Sequence, residues 1–167
     1  MSEPILIDPL AFAREGRSLS GELAVASLDE RVLASLADTS GTVRFALVGS
    51  VDKLQRSLLH LTVETEVAVK CQRCLQSMRE SLQSDAVITL FTDEQKLDDA
   101  CAADEELDAI LAEPELDVMA LIEDEIIMSL PLSPRHEACE SEPVELPKSD
   151  KPNPFAILAQ LKKNQAH

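Results

Sequence analysis

The 167-residue chain is 45% hydrophobic and 28% charged, which is enough apolar material for one packed domain with tails and too little for two domains. Its net charge of −16 excludes general adhesion to phosphate backbones, because neutralising phosphates with Lys and Arg is the main source of that affinity. No apolar run nears the roughly 20 residues that span a bilayer, and the acidic start MSEPILIDPL lacks the parts of a signal peptide, so a cytoplasmic protein is expected.

The first segment, PILIDPLAFARE, is a short apolar run ending at Asp8 and Pro9. A helix of one or two turns follows, with Pro9 at its start. SGELAVASL reads as a second short strand. In LDERVLASLA, Val32, Leu33 and Leu36 recur at helical spacing before DTSG ends the segment. From Gly41 the period becomes two. TVRFALVGS places Val43, Phe45 and Leu47 on one face, and LTVETEVAVK places Leu61, Val63, Thr65, Val67 and Val69 on one face. Such alternation marks half-buried antiparallel strands. After Cys71 and Cys74 the strand pattern returns, with Leu82, Ala86, Ile88 and Leu90 at even spacing. Consecutive strands on short connections pair, so a β-meander is expected over residues 42–91, with the cysteines at one end of its last hairpin.

Residues 1–90 carry a net charge of about −3, residues 91–147 about −16 and residues 148–167 about +3, so the acidity is local. Its first part, TDEQKLDDACAADEELDAILAEPE, suits either a solvated helix or an acidic loop, and Cys101 within it has no second cysteine at ligand spacing. LDVMALIEDEIIMSLPLSP is the strongest helical pattern. Asp117 caps it, Met119, Ile122, Ile126 and Leu130 form one apolar row, Val118, Leu121 and Met128 widen that row, and Pro131 stops it. Glu123, Asp124 and Glu125 are consecutive, so they fan around the helix. Residues 140–152 have linker composition. In NPFAILAQLKK, Asn153 caps and Pro154 opens a C-terminal helix over residues 153–167, with Phe155, Leu158 and Leu161 on one stripe and Lys162 near its end. The expected architecture is therefore α+β: one domain over residues 1–139, an antiparallel meander packed against one main helix, an acidic loop, and a short C-terminal helix beyond the linker.

In a reducing compartment four cysteines are not a disulfide framework. Cys71-x-x-Cys74 offers two donors that one tight turn can aim at a tetrahedral ion, and His136-x-x-Cys139 offers a second pair at the same spacing. Two readings stand: a structural zinc clip with all four positions filled, or two small apolar residues capping a hairpin while His136 and Cys139 belong to a tail. A redox pair is disfavoured, because the helix that lowers a thiol pKa in thioredoxin-like sites is replaced here by another strand. Catalysis is not expected. The chain has no glycine-rich phosphate loop, no G-x-S-x-G and no His-Glu pair at metalloprotease spacing, and His60 lies on a strand. Arg44, Arg56, Lys70, Arg73 and Arg79 are candidates for a modest positive patch, without exposed aromatics to stack bases. The stripe of Phe155, Leu158 and Leu161 is either a docking helix for a partner groove or a segment folded back on its own domain.

Three stretches, VAVKCQRCLQSM, LDVMALIEDEIIMSLPLSPRHEAC and KPNPFAILAQLKK, resemble in order and spacing the YceD family, the large ribosomal RNA subunit accumulation proteins. The specific parts are E-D-E-I-I-x-x-L-P, residues 123–131, and the K-P-N-P-F-A ending. This resemblance implies a non-enzymatic factor for synthesis, processing or stability of 23S ribosomal RNA. Its implied partners are ribosomal RNA or pre-50S particles and ribosomal or assembly proteins, with no small-molecule substrate. Some relatives look as if they carry a second C-x2-C where this chain has His136 and Cys139, and His is a competent zinc ligand. On this resemblance RNA would lie against Arg44, Arg56, Lys70, Arg73 and Arg79. The alternative is a protein adapter that recruits its partner through Asn153, Pro154, Phe155, Leu158, Leu161 and Lys162.

Overall fold

The computed structural model describes residues 4–139, so the predicted linker, C-terminal helix and its partner-binding residues 153–162 lie outside the described residues. The chain opens with β1 (Leu6–Ile7) and α1 (Pro9–Arg14). Asp8 caps α1 by accepting from the Ala11 N–H, and Pro9 stands at its first turn, where a missing N–H costs nothing. β2 (Ser18–Ala24), a 3-10 turn (Val25–Ser27) and the one-turn α2 (Glu30–Leu33) follow. β3 (Thr42–Val51), β4 (Ser57–Lys70) and β5 (Ser77–Phe91) form the expected meander, and β2 adds to the far side of β3, all antiparallel.

The alternating residues predicted to face inward do so, apart from Ala86, which is half-buried, and Leu59 joins them. Val43, Phe45, Leu47, Leu59, Leu61, Val63, Val67 and Val69 are buried, with Leu82, Ile88 and Leu90 on the neighbouring strand. They pack against Phe12 and Ala13 of α1 and against Val118, Met119, Ile122 and Ile126 of the main helix, α4 (Val118–Ser129). Asp117 caps α4 through the Met119 N–H, as its position in the sequence suggests. Met128 departs from the expected row: it is 82% exposed, because two residues beyond the buried Ile126 put it on the other side of the helix.

The acidic stretch is structured. Asp93 caps α3 (Glu94–Ala103), whose residues are all partly or fully exposed, so its charges stay in water. It is a crossover, after which β6 (Ala109–Leu111) joins the sheet parallel to β5, giving the order β2-β3-β4-β5-β6. β7 (Leu116–Asp117) then pairs with β1 in a separate two-stranded ribbon that delivers the chain to α4. Of the two forms its composition suits, the acidic stretch takes the solvated helix in its first part, and a parallel edge strand follows. No helix among the described residues is long and apolar enough to cross a membrane.

One carboxylate fastens the helical layer together. Glu123 is only 7% exposed; one of its oxygens accepts from the Asp29 backbone N–H at 2.8 Å and the other from Arg31 at 3.2 Å, while Arg31 also reaches Asp124 at 2.7 Å. The start of α2 is thereby tied to the middle of α4. Glu123→Ala leaves the Asp29 N–H without its acceptor and should cost about 2 kcal/mol, read as a lower urea midpoint at unchanged slope; Glu123→Gln, which keeps an acceptor, should cost less.

Candidate metal centre

Strands β4 and β5 outrun the rest of the sheet. β3 pairs with β4 only as far as Val43 opposite Thr65, whereas β4 and β5 stay paired to Lys70 opposite Ser77. The projecting hairpin is held by the loop after α2, where the Ala37 N–H donates to the Ala68 carbonyl at 2.7 Å, and by the exit of α4, where the Gln72 N–H donates to the Pro134 carbonyl at 2.8 Å. Pro131 cannot continue the helix, so the chain leaves α4 and runs back beside the hairpin tip.

The tip is a tight knuckle. The Cys71 N–H donates to the Gln76 carbonyl, the Leu75 N–H donates to the Cys71 carbonyl, and the Arg73 N–H points at the Cys71 sulfur from 3.4 Å. This closure forces Leu75 to φ 63°, a left-handed conformation that costs a bulky residue about 1–2 kcal/mol. Both cysteines thereby face the chain returning from α4. Cys71 Sγ stands 3.7 Å from Cys139 Sγ, Cys74 Sγ is 3.3 Å from His136 Nδ1, and all four donor atoms lie within 4.8 Å of one another. The two pairs that are sixty residues apart in sequence meet in one place.

The cluster fits a tetrahedral metal. With metal–sulfur bonds near 2.3 Å and metal–nitrogen bonds near 2.0 Å, the edges of a zinc tetrahedron are about 3.5–3.8 Å. Three soft sulfurs and an imidazole, with no oxygen donor, suit zinc-like ions and disfavour magnesium or calcium. Four protein donors fill the tetrahedron and leave no open position, which is the pattern of a structural ion. The thiols are already divided in character. Cys71 is drawn down to about 5, mainly by the Cys74 backbone N–H and further by those of His136 and Arg73. Burial pushes Cys139 up, and so does its hydrogen bond with Cys71. Cys101 lies on α3, outside the cluster.

The basic candidates do not form one patch. Arg56 is bound to Asp52 at 2.7 Å in the β3–β4 turn. Lys70 ends the 14-residue β4, roughly 45 Å away at the usual strand rise. Arg44 pairs with Glu64 at 3.4 Å and Arg79 with Glu66 at 3.7 Å, both across strands on the solvent face of the sheet. Lys70 and Arg73 stand at the cysteine end and have no ion pair among the described residues. Arg135, which was not among the sequence candidates, joins them there, also without an ion pair. Its place directly before the ligand His136 was the available signal. His60 contacts Asp85 on the open sheet face, and among the described residues no other side chain bonds its ring.

The family model described as "Large ribosomal RNA subunit accumulation protein YceD" matches residues 59–162. A curated protein of Haemophilus influenzae with the same description is 30% identical over 170 residues, covering 95% of this chain and 95% of its own length. No solved structure gives a significant match.

Proposed function

The chain belongs to the YceD family of large ribosomal RNA subunit accumulation proteins, and from that premise we propose that it supports the synthesis, processing or stability of 23S ribosomal RNA as a non-enzymatic factor in large-subunit biogenesis. It works by binding, to ribosomal RNA or pre-50S particles, in the cytoplasm. The observation that carries this reading is the convergence of Cys71, Cys74, His136 and Cys139 at the end of the molecule where Lys70, Arg73 and Arg135 have no ion pair among the described residues. In this reading the four side chains hold zinc, which supplies a cross-link between the hairpin tip and the exit of α4 and does no chemistry on a substrate. The protein residues do the rest: they fix the tip and aim its cations outward. The solvent face of the sheet contributes little, because Arg44 and Arg79 there are already neutralised by Glu64 and Glu66.

A second reading is favoured by the family match reaching residue 162. Residues 153–162 would then recruit a ribosomal or assembly protein through Phe155, Leu158 and Leu161, beyond a linker over residues 140–152. Depleting the protein from cells should lower mature 23S RNA relative to 16S RNA, measured on total RNA. An unchanged ratio contradicts both readings. Cross-linking in cells separates them, with RNA adducts at the cysteine end for the first and protein adducts confined to the tail for the second.

A further inference from the structure

Leu75 is the least economical residue of the cysteine knuckle. It follows the second cysteine directly, sits at φ 63°, and is 65% exposed. Glycine adopts that conformation freely, and a bulky side chain does not. Burial does not account for the leucine, and the backbone conformation disfavours it. Around it the charge is unusual for this chain. Arg31, Arg44, Arg56 and Arg79 are all ion-paired, whereas Arg73 and Arg135, like Arg14 at the far end of α1, have no ion pair among the described residues. Arg73 lies between the two hairpin cysteines and Arg135 directly precedes His136, so both flank the four-donor cluster, next to the bond from the Gln72 N–H to the Pro134 carbonyl.

We propose that Arg73, Leu75 and Arg135 form the contact for an unpaired stretch of RNA, with the two guanidinium groups on phosphates and Leu75 against the face of an unstacked base. This rests on the reading that the protein touches large-subunit RNA directly, and it specifies where and in what form. An unpaired segment fits because only there are base faces open to an apolar side chain. The contact is short. Glu80, Glu137 and Arg79 line the depression beside Arg135, and Arg79 is already paired with Glu66, so carboxylates interrupt the positive surface along the hairpin. In a chain of net charge −16, such a site binds anions only where its few free cations gather, and its affinity falls steeply with salt.

The experiment uses the full-length, metal-loaded protein and deproteinised 23S ribosomal RNA, with binding followed across a salt series. Arg73→Ala with Arg135→Ala should lower affinity about five-fold per arginine near 0.1 M salt and reduce the salt slope by about 0.7 for each. Leu75→Gly should keep its metal and its melting temperature, or raise the latter, while binding RNA severalfold more weakly. A merely structural leucine would give no loss of binding in that variant. Wild-type affinity in Leu75→Gly, or an unchanged salt slope in the double arginine variant, overturns the proposed contact while leaving direct RNA binding intact. Failure of the unaltered protein to bind the RNA, or cross-links from the tip to protein alone, overturns direct contact itself.

Discussion

Cys74→Ser should strip the bound metal and lower the melting temperature of the purified protein by about 10 °C. The reason lies in where the four donors come from. Cys71 and Cys74 sit on a hairpin that projects past β3, and His136 and Cys139 sit on the chain leaving α4. Among the described residues, one backbone hydrogen bond, from the Gln72 N–H to the Pro134 carbonyl, joins these two segments apart from the donors themselves. A metal held about a thousandfold above its dissociation constant stabilises by about 4 kcal/mol, which for a domain of this size corresponds to roughly 10–15 °C. Serine keeps the size of the side chain but is a poor ligand, so it removes the ion without emptying the site. His136→Cys, which supplies a fourth sulfur, should retain the metal. Acid should mimic the serine variant. Folding holds the Cys71 thiol at about 5 against an ordinary value of 9.0, so its thiolate favours the folded state fully above pH 9, and that contribution fades as pH falls through 5. Cys139 is shifted the other way, by burial and its bond to Cys71. Because protons compete with the metal for all four donors, acidification followed with a chromophoric chelator should release metal.

Gly49→Ala should destabilise the fold by about 3 kcal/mol without loss of metal. Gly49 is on the inward face of β3, opposite Leu59, and α1 crosses directly over it. An added Cβ would stand 2.4 Å from the Phe12 carbonyl oxygen and 2.8 Å from the Ala13 Cα. Both are backbone atoms, so no side-chain rotation relieves the clash and the whole helix must lift. Overpacking of this kind costs about 1–3 kcal/mol, and lifting α1 also exposes Phe12 and Ala13, now 4% and 1% exposed. Position 49 lies on the part of the sheet away from the cysteine hairpin, about 12 residues along β4 from the knuckle, or roughly 40 Å. Denaturant unfolding should therefore report the loss while metal content stays that of the unaltered protein. A variant that loses both would mean that the two ends of the sheet are coupled.

Long periodic segments were legible before the structure. The alternation from Leu61 to Val69 and the apolar row Met119, Ile122 and Ile126 each repeat often enough to determine which face is buried, and the core consists of those residues. The cap at Asp117 and the stop at Pro131 were equally plain, because single residues with one strong backbone preference mark them. Paired donors at the same spacing offered a four-donor cluster as one of two readings, and the structure brings those four side chains together. What stayed hidden depends on contacts that no local pattern encodes. β6 is three residues in an acidic stretch, too short to show a period, and it becomes a strand only because β5 offers it an edge. β1 and β7 are two residues each and exist through each other. Glu123 stands in a run of three acidic residues and looks solvated, yet the neighbouring turn supplies the Asp29 N–H and Arg31 that let it be buried. The charge pattern was misleading for a similar reason. Whether a strand arginine is free depends on cross-strand register, which places Glu64 opposite Arg44, while Arg73 and Arg135, off the strands, have no carboxylate partner among the described residues.

The sheet and helices thus build a rigid base, and the four donors fasten a projecting tip to it. The most direct test of that design is the metal content of the full-length protein, purified without chelator and measured by elemental mass spectrometry. About one zinc ion per chain is expected, falling to near zero in Cys74→Ser. A purified wild-type protein carrying no transition metal, with its melting temperature unaffected by added zinc, would contradict it.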